Sequence, residues 1–287
     1  MAQQNMAWRI LGLVCALGMS GCSDKEDPYK ERPAEELYQE GMQSLKDKKF
    51  EKAAKAFDEV ERQHPYSKWA PKAQLMAGYA YYEGQQYEKA IAAMESFVQL
   101  HPAHQDVPYA LYMQGMCYYE QISPVERDQK ITEMALSVFE DLVRRFPEAS
   151  YSKDARFKID LLRDNLAGKE MDVGRYYQKR GSYLSAMNRF RVVVEKFQTT
   201  QHVGEALYRL VEVYLALGMR AEAQATAAVL GHNFPGSDWY QDAYGLLKNA
   251  DMGEQQAQSS SWISKIWPMG SKEEGQGPAP AAPTPQN

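Results

Sequence analysis

Residues 78–102, GYAYYEGQQYEKAIAAMESFVQLHP, decide the fold of this chain. A spacing of 37 residues recurs around this stretch, for glycine at Gly41, Gly78 and Gly115 and for proline at Pro65 and Pro102. Self-similarity at a fixed period of about 20 to 50 residues is the signature of a repeat architecture. Each glycine stands mid-way along a predicted first helix and each proline follows a predicted second helix. The repeating unit is therefore a helix-turn-helix hairpin.

Five such units can be aligned, the first running from about Ala34 to Ser67. The first helix carries a small or apolar residue at Gly41, Gly78, Gly115, Gly174 and Val211, and the second carries an alanine at Ala53, Ala90, Ala135, Ala186 and Ala223. The third unit has eight extra residues between its glycine and its alanine. The fourth unit has Gln198 where the closing proline is expected.

The physical roles of the aligned residues fit a stack of helical hairpins. A small residue inside a helix lets the neighbouring helix approach closely, and proline cannot continue a helix. The pattern of small residue, aromatic residue, alanine and proline resembles the tetratricopeptide repeat. We therefore predict an all-α fold, a solenoid of five tetratricopeptide-type helical hairpins over residues 34–250. Apolar spacing also predicts an extra linking helix within 150–167 and a capping helix over 239–249.

The C-terminal part of the chain differs from the repeats in composition. Residues 251–287 are rich in serine, glycine and proline, which predicts a disordered tail. Within it, Trp262, Ile263, Ile266 and Trp267 form a short apolar cluster at helical spacing. Two interpretations of this cluster remain open, a chance grouping or a short motif that contacts a partner or a membrane.

The first 21 residues have the layout of a secretory signal peptide, with a positive charge before the apolar stretch 10–17 and small residues before Cys22. Met19-Ser-Gly-Cys22 resembles the bacterial lipobox, with Met in place of the usual Leu. The resemblance implies that Cys22 is lipidated and that residues 22–33 form a lipid-anchored linker. Ser23 rather than Asp at the next position implies sorting to the outer membrane, facing the periplasm. The alternative is an ordinary secretory leader that happens to end at a cysteine.

Composition and motifs argue against several function classes. The formal net charge is -5, whereas a nucleic-acid binder needs a basic face to neutralise phosphates. Cys117 has no obvious partner among three cysteines, so we expect a buried apolar residue and no disulfide framework. We find no phosphate loop, zinc-protease motif, nucleophile elbow or paired-cysteine motif. We predict no enzyme activity, metal site or cofactor, and interpret His101 and His104 as groups favoured by a helix C-terminus.

A stripe of tyrosines on the first helices of units one to three is the main candidate binding surface. In tetratricopeptide folds, first-helix positions build the concave surface, and tyrosine offers it a large apolar face with a hydroxyl that reaches water or a peptide backbone. We predict a peptide-binding groove lined by Tyr38, Lys72, Tyr79, Tyr82, Tyr109, Tyr112 and Tyr119, with the lysine available to a carboxylate. The alternative is packing between repeats, which we expect for Tyr81 and Tyr118.

The fourth unit carries polar and basic residues where the earlier units carry tyrosine. A cationic patch in a chain of net charge -5 suggests an acidic partner surface, which would orient and speed docking. We predict partner docking by Arg175, Lys179, Arg180, Asn188 and Arg189. A merely solvated helix face is the alternative.

Three stretches carry a more specific resemblance. They are Tyr112-Met-Gln-Gly-Met116, then Leu142-Val-Arg-Arg-Phe-Pro147 with Tyr151 and Asp154-Ala155 after it, and Tyr176-Tyr-Gln-Lys-Arg-Gly181 continuing to Asn188-Arg189. With the lipobox and the repeats, residues 22 to 250 resemble the BamD (ComL) family, the lipoprotein subunit of the outer-membrane β-barrel assembly machine. The Pro-rich tail is not covered, and Gln198 departs from the family pattern.

The resemblance implies a function and a set of partners. The N-terminal repeats would receive the aromatic-ending C-terminal signal of unfolded outer-membrane proteins. The C-terminal repeats would dock to the periplasmic domain of the barrel insertase, alongside accessory lipoproteins, while a lipid on Cys22 holds the protein to the outer membrane. The alternative is another periplasmic repeat lipoprotein, such as a pilotin or a cell-division scaffold. Co-purification of a secretin would distinguish a pilotin.

We predict that Cys22→Ala abolishes lipid attachment and releases the protein from the membrane, because only a thiolate is nucleophilic enough to accept the lipid. Radioactive palmitate labelling followed by membrane fractionation measures both effects. Normal labelling of the mutant would show that Cys22 is not the lipidated residue.

Overall fold

The computed structural model describes residues 31–249 together with Ile263. Among these residues the chain forms eleven helices: α1 Ala34–Lys46, α2 Phe50–Gln63, α3 Ala70–Glu83, α4 Tyr87–Leu100, α5 Val107–Tyr119, α6 Lys130–Arg145, α7 Ser150–Lys179, α8 Tyr183–Lys196, α9 Val203–Ala216, α10 Arg220–Asn233 and α11 Asp238–Asn249. The predicted signal peptide, Cys22, and the tail residues Trp262, Ile266 and Trp267 lie outside the described residues.

The helices pack in consecutive pairs that stack along the chain. The pairs α1–α2, α3–α4, α5–α6, α7–α8 and α9–α10 form five hairpins, and α11 packs against both helices of the last one. The first helices α1, α3, α5 and α7 also contact one another in order, so they share one inner face. The predicted all-α solenoid of five hairpins with a capping helix is confirmed.

The predicted linking helix is continuous with the first helix of the fourth unit, and together they form the 30-residue helix α7. No proline interrupts this stretch, and half of its residues are good helix formers. Its first half meets α6, where Arg163 pairs with Glu140 at 2.7 Å. Its second half meets α8, where Glu170 pairs with Arg189 at 3.1 Å. Helix α7 therefore joins the third and fourth hairpins rigidly.

Each of the first four hairpins is closed by a side chain of the second helix that lies against the backbone of a first-helix glycine. A Cβ atom at Gly41 would lie 2.6 Å from Phe57 Cε1, and one at Gly115 would lie 2.5 Å from Phe139 Cε1. Gly174 faces Phe190 in the same way, and Gly78 faces the thioether of Met94. Real Cβ atoms essentially never lie this close to another atom, so a larger residue at Gly41, Gly115 or Gly174 would force the facing ring to move.

The fifth hairpin has the sizes exchanged at the equivalent positions. In three of the other hairpins, the glycine and its facing side chain are 16 residues apart, as in Gly174 and Phe190. In the fifth, Val211 stands at the glycine position and Ala227 stands 16 residues later, and both are buried. A small residue on the second helix thus offsets the larger one on the first, which conserves core volume.

Four further residues test the sequence interpretation of the core. Cys117 is fully buried and free, and burial raises the pKa of its thiol to about 12, which confirms its reading as an apolar core residue. Tyr118 is buried as expected, whereas Tyr81 is half-buried and donates its hydroxyl to Asp58 at 2.5 Å. Ile263 is helical and 1% exposed, and it packs in the C-terminal core cluster together with Ala243 of α11.

We predict that Gly115→Ala lowers the free energy of unfolding, because its methyl group would overlap the Phe139 ring. Overpacking a core costs roughly 1–3 kcal/mol, more than the gain of about 0.5–1 kcal/mol from placing alanine in a helix. Gly78→Ala should cost less, because the flexible end of Met94 can move aside. Urea unfolding followed by circular dichroism measures both.

The matched control is Gly245→Ala in α11, where nothing lies within 4 Å of an added Cβ. We expect this change to be neutral or stabilising. If Gly115→Ala behaved like the control, close packing against glycine would not be what holds the hairpin together.

Candidate binding surfaces

The predicted groove residues occupy equivalent positions of α3 and α5. Lys72, Tyr79 and Tyr82 lie on one face of α3, since spacings of seven and three residues correspond to about two turns and one turn. Tyr109 and Tyr119 follow Lys72 and Tyr82 by one repeat of 37 residues. Because α3 contacts α5, the two rows lie side by side on the inner face. The four tyrosines are half-buried, and Lys72 is exposed.

The α5 row is completed by residues from the start of α7. The ring centre of Tyr151 lies 5.5 Å from that of Tyr109 and 5.3 Å from that of Tyr112. The Tyr112 hydroxyl donates to Asp154 Oδ2 at 2.8 Å. Burial raises the pKa of both Tyr109 and Tyr112, so both hydroxyls stay protonated donors at neutral pH. These contacts fix three rings in one aromatic cluster.

The other end of the groove holds Tyr82 and Tyr119. The Tyr82 hydroxyl donates to Glu120 Oε1 at 3.4 Å, and its ring centre lies 5.9 Å from that of Tyr87. Burial raises the pKa of Tyr82 to about 12. The Lys158 ammonium nitrogen lies 4.4 Å from the ring centre of Tyr119, within the range of a cation–π interaction.

Tyr38 lies apart from the other groove tyrosines. Its ring centre is 4.8 Å from that of Trp69 and 5.4 Å from that of Phe57, and it packs on the N-terminal core cluster. Tyr79, Tyr82, Tyr109, Tyr112 and Tyr119 all pack on the next cluster. The structure therefore brings five of the six predicted tyrosines together.

Sequence reasoning missed several residues that complete this surface. Trp69 contacts Tyr38, which lies apart, and the groove tyrosines are contacted by Tyr151, Asp154 and Lys158. The last three belong to the first half of α7, which acts as the fourth inner helix. Tyr151 and Asp154 follow soon after the family-matching stretch 142–147, and this position in the sequence could have identified them.

Among the predicted docking residues, Arg175 is engaged within the chain. Its guanidinium pairs with Glu205 of α9 at 3.1 Å, and Arg209 pairs with the same carboxylate at 3.3 Å. Arg209 also pairs with Glu212, which accepts a hydrogen bond from Gln178 at 3.0 Å. This network joins α7 to α9, so Arg175 positions the fourth hairpin against the fifth.

Arg189 belongs to α8 and contacts a different side of α7. It pairs with Glu170 of α7, which precedes Arg175 by five residues. Five residues correspond to about 140° around a helix axis, so Arg175 and the carboxylate that pairs with Arg189 lie on different sides of α7. The five predicted docking residues therefore do not form one continuous patch.

The other predicted docking residues lie at the C-terminal end of α7 and on α8. Lys179, Arg180 and Asn188 are exposed. The Arg180 guanidinium lies 4.5 Å from the ring centre of Tyr176, which is itself half exposed. Leu184 on α8 is also exposed. Two apolar side chains that sequence reasoning missed thus accompany the positive charge.

Other kinds of site are not seen in the part of the chain that the structure describes. Over residues 31–249 and Ile263, no group of histidine, cysteine and carboxylate side chains is arranged to hold a metal ion. Within the same residues, no helix has the length and apolar character needed to cross a membrane.

Comparison with known proteins gives the family. Residues 30–230 match the family YfiO, described as an outer membrane lipoprotein. The outer membrane protein assembly factor BamD of Caulobacter vibrioides is 47% identical over 251 residues, which are 86% of this chain and 82% of that protein. The chain belongs to the BamD family. BamD of Rickettsia prowazekii is 44% identical over 238 residues, which are 83% of this chain and 95% of that protein. The family predicted from the sequence is confirmed.

Proposed function

We propose that the protein is the lipid-anchored BamD subunit of the machinery that assembles β-barrel proteins in the outer membrane. In this role it binds C-terminal signals of unfolded outer-membrane proteins and docks to the barrel insertase. Two relatives named as outer membrane protein assembly factors support the general role. The observation that carries the client-binding role is the cluster of five half-buried tyrosines on the inner face of α3 and α5.

The groove suits an extended apolar peptide. Carboxylates of the same chain hold the hydroxyls of Tyr82 and Tyr112, which fixes the rings before a peptide arrives. Preorganised rings lower the entropic cost of binding. Ring faces accept apolar side chains, and the exposed Lys72 can approach a terminal carboxylate. Binding should be weak and tolerant, because ordering an unfolded chain costs free energy and many clients share the site.

The C-terminal end of α7, together with α8, suits an acidic partner. Lys179, Arg180 and Arg189 present positive charge, and Tyr176 and Leu184 present exposed apolar area beside it. Aromatic and arginine side chains are the commonest sources of binding energy at interfaces. We assign this end to the periplasmic domain of the insertase, with accessory lipoproteins as further partners and the lipid on Cys22 holding the protein to the outer membrane.

We predict that replacing Tyr82 and Tyr112 together by Ala weakens binding of a client C-terminal peptide, because two ring faces are lost. Fluorescence anisotropy with a labelled peptide ending in a free aromatic residue measures the affinity. Tyr66→Ala is the control, since that side chain is fully exposed at 101% and lies outside the groove. If the folded double mutant bound the peptide as tightly as the parent, the stripe would be core packing only.

A substitution in the docking surface at the end of α7 and on α8 should affect binding of the insertase and not binding of the peptide. Arg189→Glu should reduce co-purification of the insertase and leave peptide affinity unchanged, because reversed charge repels an acidic partner. Glu170→Gln removes the same intrachain ion pair and keeps the arginine, so it should retain docking. If the folded Arg189→Glu variant still co-purified the insertase as well as the parent does, this surface would not be the docking site.

A further inference from the structure

The outer face of α10 differs from the outer face of the other second helices. In the first four hairpins, the residues two positions after the repeat alanine are exposed; they are Lys55, Ala92, Ser137 and Asn188. The residues six positions after it are half-buried; they are Glu59, Ser96, Asp141 and Val192. On α10 the aligned residues are Ala225 and Val229, which are apolar and only 7% and 1% exposed. A part of the chain therefore covers a face of α10 that is open to solvent in the other hairpins.

The helices that flank α10 do not account for this burial. Ala225 lies two residues from Ala223, the buried repeat alanine, and two residues correspond to about 200° around a helix axis. Val229 likewise lies two residues from Gly231, where Tyr240 of α11 packs against α10. Ala225 and Val229 thus point away from α9 and α11, the two helices that pack against α10.

Ile263 of the C-terminal tail provides a cover. It is helical and 1% exposed, and it belongs to the same buried cluster as Ala225 and Val229. Thirteen residues separate it from Asn249, the last residue of α11. An extended segment of this length spans up to about 45 Å, more than twice the length of roughly 18 Å of α11 itself. The tail is therefore long enough to pass α11 and reach α10 of the same chain.

The sequence around Ile263 suits such a contact. Ile266 and Trp267 follow it by three and four residues, a spacing that places side chains on one face of a helix. An amphipathic helix that lays its apolar face against an apolar surface is a common mode of peptide recognition. A side chain that is 1% exposed is not available to a membrane, so burial of Ile263 favours contact with the chain itself.

We infer that the outer face of α10 is a docking site for a short apolar helix, and that residues 262–267 of the same chain occupy it. The site is separate from the proposed function, because the tyrosine groove lies on the inner face of α3 and α5. A short flexible linker gives a tethered segment an effective concentration in the millimolar range. The intact chain therefore keeps this site closed to a competing peptide of the same kind.

The test compares the full-length parent with Ile263→Asp, in which a charge removes the tail segment from the apolar site. The probe is a fluorescent peptide of residues 259–269, and fluorescence anisotropy measures its affinity. We expect Ile263→Asp to bind the peptide roughly tenfold or more tightly than the parent, because its site is vacant. A probe peptide that itself carries Ile263→Asp should not bind either chain.

Two further variants locate the site, and circular dichroism checks that each is folded. Ala225→Lys, added to Ile263→Asp, should abolish peptide binding, and lysine is the residue that α2 carries at the aligned position. Ala228→Lys, at an exposed position of α10, should leave binding intact. Equal affinity of the parent and Ile263→Asp, or binding to neither, would overturn the proposal. A parent that is a dimer by light scattering and becomes a monomer on Ile263→Asp would place the segment on a second copy, and would also overturn it.

Discussion

The contact between a first-helix glycine and the side chain that lies on it sets the geometry of the first four hairpins. Phe57, Met94, Phe139 and Phe190 each reach the backbone of the opposite helix at a glycine. The separation of the two helices in a hairpin therefore depends on the absence of one Cβ atom. Protein interiors are close-packed, so an error of a few tenths of an ångström at this point would be passed to the next hairpin.

The candidate binding surfaces are a consequence of this repeated geometry. Because hairpins two and three repeat at 37 residues, equivalent positions of α3 and α5 come to lie side by side. Tyr82 and Tyr119 occupy one such pair of positions, and Tyr79, Tyr109 and Tyr112 pack on the same core cluster beside them. The fourth hairpin breaks the pattern: α7 extends to 30 residues, contributes Tyr151 and Asp154 to the stripe with its first turns, and carries basic groups at its end.

The glycine and alanine spacings predicted the fold because repeat packing is local, and each hairpin contacts mainly its neighbours. The same logic predicted that Cys117 and Tyr118 are buried. The spacing could not predict the partners of exposed charges. The pair Arg175–Glu205 joins residues 30 apart, and its formation depends on how the fourth hairpin meets the fifth. The Tyr112–Asp154 hydrogen bond likewise depends on α7 beginning where it does.

We propose that one rigid solenoid presents two surfaces to two different partners. Site-specific photo-crosslinking in cells tests it most directly, with a photoreactive residue placed at Tyr79 in one strain and at Asn188 in another. We expect position 79 to crosslink to newly exported outer-membrane proteins and position 188 to crosslink to the barrel insertase. Crosslinking of both positions to the same partner, or of position 79 to no client, would contradict the division between groove and docking end.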